Sequence, residues 1–174
     1  ARCPAVFVAG LSMGGLVAAE LAAARPADVT AVAILAAPLW LSGLNGMFVT
    51  AARFTPLRLV LPSIAKPVET DPRLREIRAN NPSYDRVPTR AAGAFWDFMW
   101  RMRRRARDVR APALVIYSRA DGDVPFVNAR LMARALGSEE IRRVTLDDSA
   151  HLMLLDRDAP RVCAEVRAFF DHHS

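Results

Sequence analysis

The sequence predicts an α/β fold organised on a mostly parallel sheet with helices on both faces. Short runs at 5–9, 29–37 and 113–118 are apolar almost without interruption, as expected of strands buried on both faces. Stretches whose apolar residues recur at helical spacing lie between and after them, so strands and helices alternate. At 174 residues and 52% hydrophobic, the chain is long enough to bury a sizeable core.

Taken in order, the first strand ends in Gly10-Leu11-Ser12-Met13-Gly14. An alanine-rich helical stretch follows to about residue 25, stopped by Pro26. Gly-x-Ser-x-Gly between a strand and a helix predicts a turn so tight that side chains at Gly10 and Gly14 would collide, with Ser12 strained at its tip. The helix would aim its first N–H groups at that serine, where they favour developing negative charge. The run at 29–37, closed by Pro38, completes a βαβ unit.

From 39 to 110 the alternation stops. Pro56, Pro62, Pro67, Pro72, Pro82 and Pro88, a Gly-Leu-Asn-Gly turn and short helical stretches replace it. The segment is too long for a simple connection and too apolar for a linker, so it reads as an inserted helical lid or cap. An amphipathic helix over Thr89–Arg105 closes it. Alternation returns with a strand at Ala113–Ser118, a loop at 119–125, a helix at 126–136 stopped by Gly137, and a last strand at Ile141–Leu146. The final helix has Asp158 as its expected cap, Pro160 in its first turn and a buried stripe of Val162, Val166, Phe169 and Phe170. Three parts result: 1–38 and 111–174 as the two portions of a core, and 39–110 as the lid.

Composition narrows the function classes. The net charge of +6 resides almost wholly on arginine, with Arg101, Arg103, Arg104, Arg105, Arg107 and Arg110 clustered beside Trp96 and Trp100. Phe95, Phe98, Met99, Met102 and Ala106 repeat at helical spacing in the same stretch, which makes the arginines a solvated face and argues against a nucleic-acid partner. No apolar run reaches the roughly 18 residues of a membrane span, and no signal peptide precedes the first strand. Cys3 and Cys163 lie at opposite ends without metal spacing, so a reducing, cytoplasmic setting is expected. There is no Gly-x-Gly-x-x-Gly, no P-loop and no clustered set of metal ligands, so neither cofactor nor metal is expected.

Three residues then fall in loops at the carboxyl ends of parallel strands: Ser12, Asp121 and His151. That edge is where open α/β sheets bind ligands. A serine hydroxyl needs a base to take its proton. A histidine can accept and return that proton, and a carboxylate fixes the imidazole tautomer. Asp121 comes first after its strand and precedes Gly122. Asp123 is the competitor, read instead as the cap of the helix after Pro125, and Asp147 and Asp148 are weaker because they share a loop with His151. His172 and His173 read as surface residues at a frayed end. The Met13 N–H, directly after the serine, is the candidate oxyanion donor.

These residues resemble the α/β-hydrolase superfamily, specifically carboxylesterase and monoacylglycerol-lipase-like serine hydrolases. The match lies in Gly-Leu-Ser-Met-Gly-Gly (10–15), Ala-Pro-Ala-Leu-Val-Ile-Tyr-Ser-Arg-Ala-Asp (111–121) and Asp-Ser-Ala-His-Leu-Met-Leu-Leu-Asp (148–156). The resemblance implies Ser12 as nucleophile, Asp121 as acid and His151 as base, acting on a small ester or lipid substrate. Acyl transfer or thioester hydrolysis on the same residues, or a non-catalytic remnant serving as an interaction module, remain alternatives. In such hydrolases the elbow follows the fifth strand of eight, which implies that this chain corresponds to the carboxyl-terminal portion. A second oxyanion donor would then come from an upstream His-Gly-type turn. The edge of the first strand would stand unpaired and apolar, an expected site of homo-oligomer formation.

Overall fold

The structure, a computed structural model, describes residues 3–56, 60–66, 70–80 and 84–174. Pro67 and Pro82, two of the prolines that mark the insertion, lie outside the described residues. In chain order the elements are β1 (Phe7–Leu11), α1 (Met13–Ala24), β2 (Ala31–Leu35), α2 (Gly43–Phe54), β3 (Ser63–Ala65), α3 (Pro72–Ala79), β4 (Arg86–Pro88) and α4 (Thr89–Arg105). After a 3-10 turn at Ala106–Asp108 come β5 (Ala113–Ser118), α5 (Val127–Ala135), β6 (Ile141–Leu146) and α6 (Ala159–His172). They divide into two compact units, one of Ala1–Leu41 with Met99–Ser174, the other Ser42–Phe98.

The first unit is built on a sheet of order β1-β2-β5-β6. All three pairings are parallel. The apolar runs explain why. Every residue of β2 and β5 is buried, so each strand needs a covering layer on both faces. Ala31, Ala33 and Leu35 of β2 pack with Leu114, Ile116, Val144 and Leu146 and with Val162 and Phe169 of α6. Val32 and Ile34 point to the other face and are equally buried. Each fully buried Leu or Ile contributes roughly 1.5–3 kcal/mol relative to exposure. Along α1, Leu16, Ala19 and Ala22 are buried, while Met13, Val17 and Leu21 form an exposed apolar stripe. β1 lies at one edge of the sheet.

The arginine-rich end of α4 behaves as a surface face. Met99 and Met102 are buried, Arg103 stacks over Trp100, and Arg105 pairs with Glu20 at 2.7 Å. No helix among the described residues is long and apolar enough to cross a membrane.

The second unit departs from the expected set of short helices. It contains an antiparallel pair, β3 with β4, in which Ile64 lies opposite Val87. Thr89 locks that pair to the start of α4: its N–H donates to Pro62 O at 3.0 Å and its hydroxyl to Leu61 O at 2.5 Å. Phe54 of α2 meets Trp96 edge to face at 4.7 Å, and Arg53 pairs with Asp97. α3 buries none of its residues.

Candidate active site

The turn from β1 into α1 places Ser12 at the carboxyl edge of the sheet. Its φ of 58° and ψ of −123° lie where L-residues rarely sit. A serine before a helix ordinarily turns its oxygen back to cap the first amides. Ser12 makes no such side-chain bond. Instead its backbone holds the turn: its N–H donates to Leu35 O at 2.8 Å, and its carbonyl accepts from Gly15 and Leu16. The Met13 N–H, at the first helical position, has no acceptor within its own helix.

The glycine requirement is only partly the expected one. A Cβ at Gly10 would lie 2.1 Å from the Gly14 carbonyl oxygen, so the turn closes only over glycine. A Cβ at Gly14, however, would meet nothing within 4 Å. The second tight position is Gly15, where a Cβ would stand 2.8 Å from the Ala37 Cβ and 3.0 Å from Gly10 O. The close approach that limits side chains is thus between the helix and the β1 and β2 ends, one residue later than the motif implies.

At the same carboxyl edge of the sheet, the loops after β5 and β6 bring Asp121 and His151 together. Asp121 Oδ2 lies 2.8 Å from His151 Nδ1, with the aspartate side chain 1% exposed and the imidazole 14%. The other oxygen, Oδ1, accepts from the N–H groups of Asp123 and Val124 at 2.8 and 2.9 Å. Both carboxylate oxygens are therefore engaged, and the rotamer is fixed. Since a carboxylate oxygen accepts, Nδ1 donates and Nε2 is left as the basic nitrogen of the neutral ring.

The competitors are placed elsewhere. Asp123 contributes its N–H to Asp121, and the N-cap position of α5 is held by Phe126, not Asp123. Asp147 pairs with Arg119 on the surface at 3.2 Å, and Asp148 is exposed. Asp158 does occupy the N-cap of α6, yet its side chain makes no capping bond. Its N–H is instead accepted by Ser149 Oγ at 2.8 Å.

Sequence reasoning assigned no role to the groups that brace these loops. The buried Ser118 donates its hydroxyl to Ser149 O and accepts from Ala120 N–H at 3.2 Å. One side chain thereby ties the loop of Asp121 to that of His151. Asp156, 9% exposed, accepts from Ala150 N–H, the residue before His151, and from Arg157 N–H, each at 2.8 Å. Asn128 satisfies all four hydrogen-bonding positions of its amide: Oδ1 accepts from Leu39 and Trp40, and Nδ2 donates to Trp40 O and Pro125 O. Tyr117, fully buried on β5, donates to Ala37 O at 2.6 Å. Burial pushes its phenol far above the ordinary value; the bond to Ala37 opposes this and the Asp121 carboxylate adds to it. The local signal was position alone: Tyr117 and Ser118 stand within the matched 111–121 stretch and Asp156 within 148–156.

Ser12, Asp121 and His151 all follow the carboxyl ends of parallel strands, in the order β1, β5, β6. Asp121 and His151 are in direct contact, and Ser12 lies two strands away from β5 along the same edge.

Comparison with known proteins bears on the fold and the family. A thermostable monoacylglycerol lipase from Bacillus sp. (strain H-257) is 30% identical over 99% of this chain, which spans 65% of that lipase's length. Among solved structures, one from a study of LipS and LipT, two metagenome-derived lipolytic enzymes, superposes with a TM-score of 0.81 at 25% identity, covering 99% of this chain and 67% of the other. The monoacylglycerol lipase of Paleococcus ferrophilus superposes with a TM-score of 0.82 at 20% identity, covering 98% and 69%. The profile of the family described as "Serine aminopeptidase, S33" matches residues 2–158. The chain has the α/β-hydrolase fold and belongs to that family.

Proposed function

We propose that the chain carries the catalytic residues of a serine hydrolase that cleaves carboxylic esters through an acyl-enzyme. The observation that carries the reading is the Asp121–His151 hydrogen bond, which leaves Nε2 basic on a ring of fixed orientation. In this scheme Ser12 Oγ attacks the ester carbonyl while Nε2 takes its proton. The Met13 N–H holds the oxyanion. Collapse expels the alcohol, which receives that proton from His151. Water, activated by the same nitrogen, then releases the acid and regenerates Ser12. The strained backbone of Ser12 supports the assignment, because strain of this kind persists where a reacting group must be held exposed.

The substrate class proposed is a short- to medium-chain acyl ester or a monoacylglycerol-like lipid. The likeness to the Bacillus monoacylglycerol lipase supports it. In the same reading the unit Ser42–Phe98, which exposes Leu44, Met47 and Phe54, is a lid.

The test is intact-mass labelling of this chain with a fluorophosphonate, beside Ser12→Ala. One adduct on the parent and none on the variant is the expected result, followed by turnover of acyl esters of graded length. A folded parent that takes no adduct, or a Ser12→Ala variant that still does, overturns the assignment.

A further inference from the structure

We propose that Glu140, His172 and His173 form a binding site for a divalent transition-metal ion of the Zn2+ type, remote from the candidate active site. The three side chains come from two places: Glu140 directly precedes β6, and the histidines close α6. One ligand atom from each lies within 4.8 Å of the others. Adjacent helical residues normally diverge. Here His173 sits at the C-cap with φ −106° and ψ 12°, and the two imidazoles meet at 4.9 Å between ring centres.

The hydrogen bonding of His173 argues for a cation at this point. Its Nδ1 lies 2.8 Å from Phe169 O. A carbonyl can only accept, so Nδ1 donates to it and Nε2 is the ring nitrogen turned to Glu140. His173 Nε2 stands 3.2 Å from Glu140 Oε2. A proton or a metal ion can fill the gap between them, and the His172 ligand atom within 4.8 Å of both gives a metal its third donor. Ligand atoms about 2.1 Å from one ion, at tetrahedral to octahedral angles, stand roughly 3.0–3.4 Å apart, which matches the observed gap. A backbone carbonyl holding the far nitrogen of a histidine is also the usual way such a ligand is oriented.

The surroundings favour a cation as well. The last carbonyls of α6 give its end partial negative charge. His173 is held by packing against Phe169, ring centres 4.6 Å apart, with its side chain 12% exposed. The Glu140 backbone is fixed because its carbonyl accepts from Ala113 N–H at 3.0 Å, where β5 and β6 begin. Two imidazoles and one carboxylate suit Zn2+, with a fourth position open to water. The site lies beside the amino ends of β5 and β6, whereas Asp121 and His151 lie past their carboxyl ends. Its role is to clasp the end of α6 to the start of β6.

Titration of the metal-free chain with Zn2+ at neutral pH, by calorimetry and by competition with a chromophoric chelator, tests this. One ion should bind per chain in the micromolar range and raise Tm. Glu140→Gln, His172→Ala and His173→Ala should each weaken binding at least about tenfold, while His151→Ala leaves it unchanged. Glu140→Gln and His172→Ala alter exposed side chains and report on binding even if His173→Ala fails to fold. Absence of Zn2+ binding would mean that only a proton bridges His173 and Glu140. That outcome overturns the proposal, as does binding abolished by His151→Ala or indifferent to His172→Ala.

Discussion

The elbow at Ser12 and the paired loops of Asp121 and His151 hold their functional groups by opposite means. The elbow is a backbone device. A positive φ, three main-chain hydrogen bonds and the absence of two Cβ atoms fix it, and its serine side chain takes no part. The acid and base loops are a side-chain device in which Ser118, Asp156 and Asp121 itself bind main-chain N–H and C=O groups. Backbone devices tolerate no added volume. Side-chain devices tolerate volume but not a change of donor for acceptor.

Substitutions that respect one rule and break the other sharpen this contrast. The largest effect is expected at Asp121→Asn. Its amide oxygen still accepts from Asp123 and Val124, so the fold and Tm persist. The amide nitrogen would face His151 Nδ1 and force the wrong tautomer, lowering kcat on the order of 10⁴-fold in steady-state ester hydrolysis. Next comes Gly10→Ala, where a Cβ 2.1 Å from Gly14 O cannot be accommodated. Denaturant unfolding should show a loss of about 3 kcal/mol, the upper end of ordinary overpacking. Asp156→Asn places a donor against the Ala150 or Arg157 N–H and should cost about 1–3 kcal/mol. Because Asp156 acts through the loop that carries His151, kcat should fall while KM holds. Smallest is Gly14→Ala. The motif marks Gly14 as essential, yet its surroundings are open, and helix propensity should raise stability by about 0.5 kcal/mol in the same unfolding measurement. A Gly14→Ala variant as damaged as Gly10→Ala would break the distinction.

The same contrast explains what could be read from the sequence. β5, β6 and α4 were legible to the residue, β5 because its apolar run is unbroken and α4 because its apolar residues recur at helical spacing. The elbow was legible because its constraint falls on neighbouring residues. The β3–β4 pair was not, since three-residue strands carry no period and partners such as Ile64 and Val87 are far apart in the chain. The bracing side chains escaped for the same reason. Ser118 reaches 31 residues to Ser149, and Asn128 reaches 88 to Trp40. Glu140 shows no metal-ligand spacing to His172 because the fold alone brings the two together.

The place of β1 at the sheet edge has a dynamic consequence. In a parallel pair, successive residues turn their N–H and C=O groups to alternate sides. Val6 O accepts from Thr30 N–H and Ser12 N–H donates to Leu35 O, so the even-numbered residues of this stretch face β2. The amides of Phe7, Ala9 and Leu11 face the opposite way, off the edge. Hydrogen exchange along this one strand should therefore be two-speed, fast at 7, 9 and 11 and slow at 8, 10 and 12. The reacting serine would stand on the slow register, its own amide among the protected ones, a single residue from a backbone amide that faces away from β2.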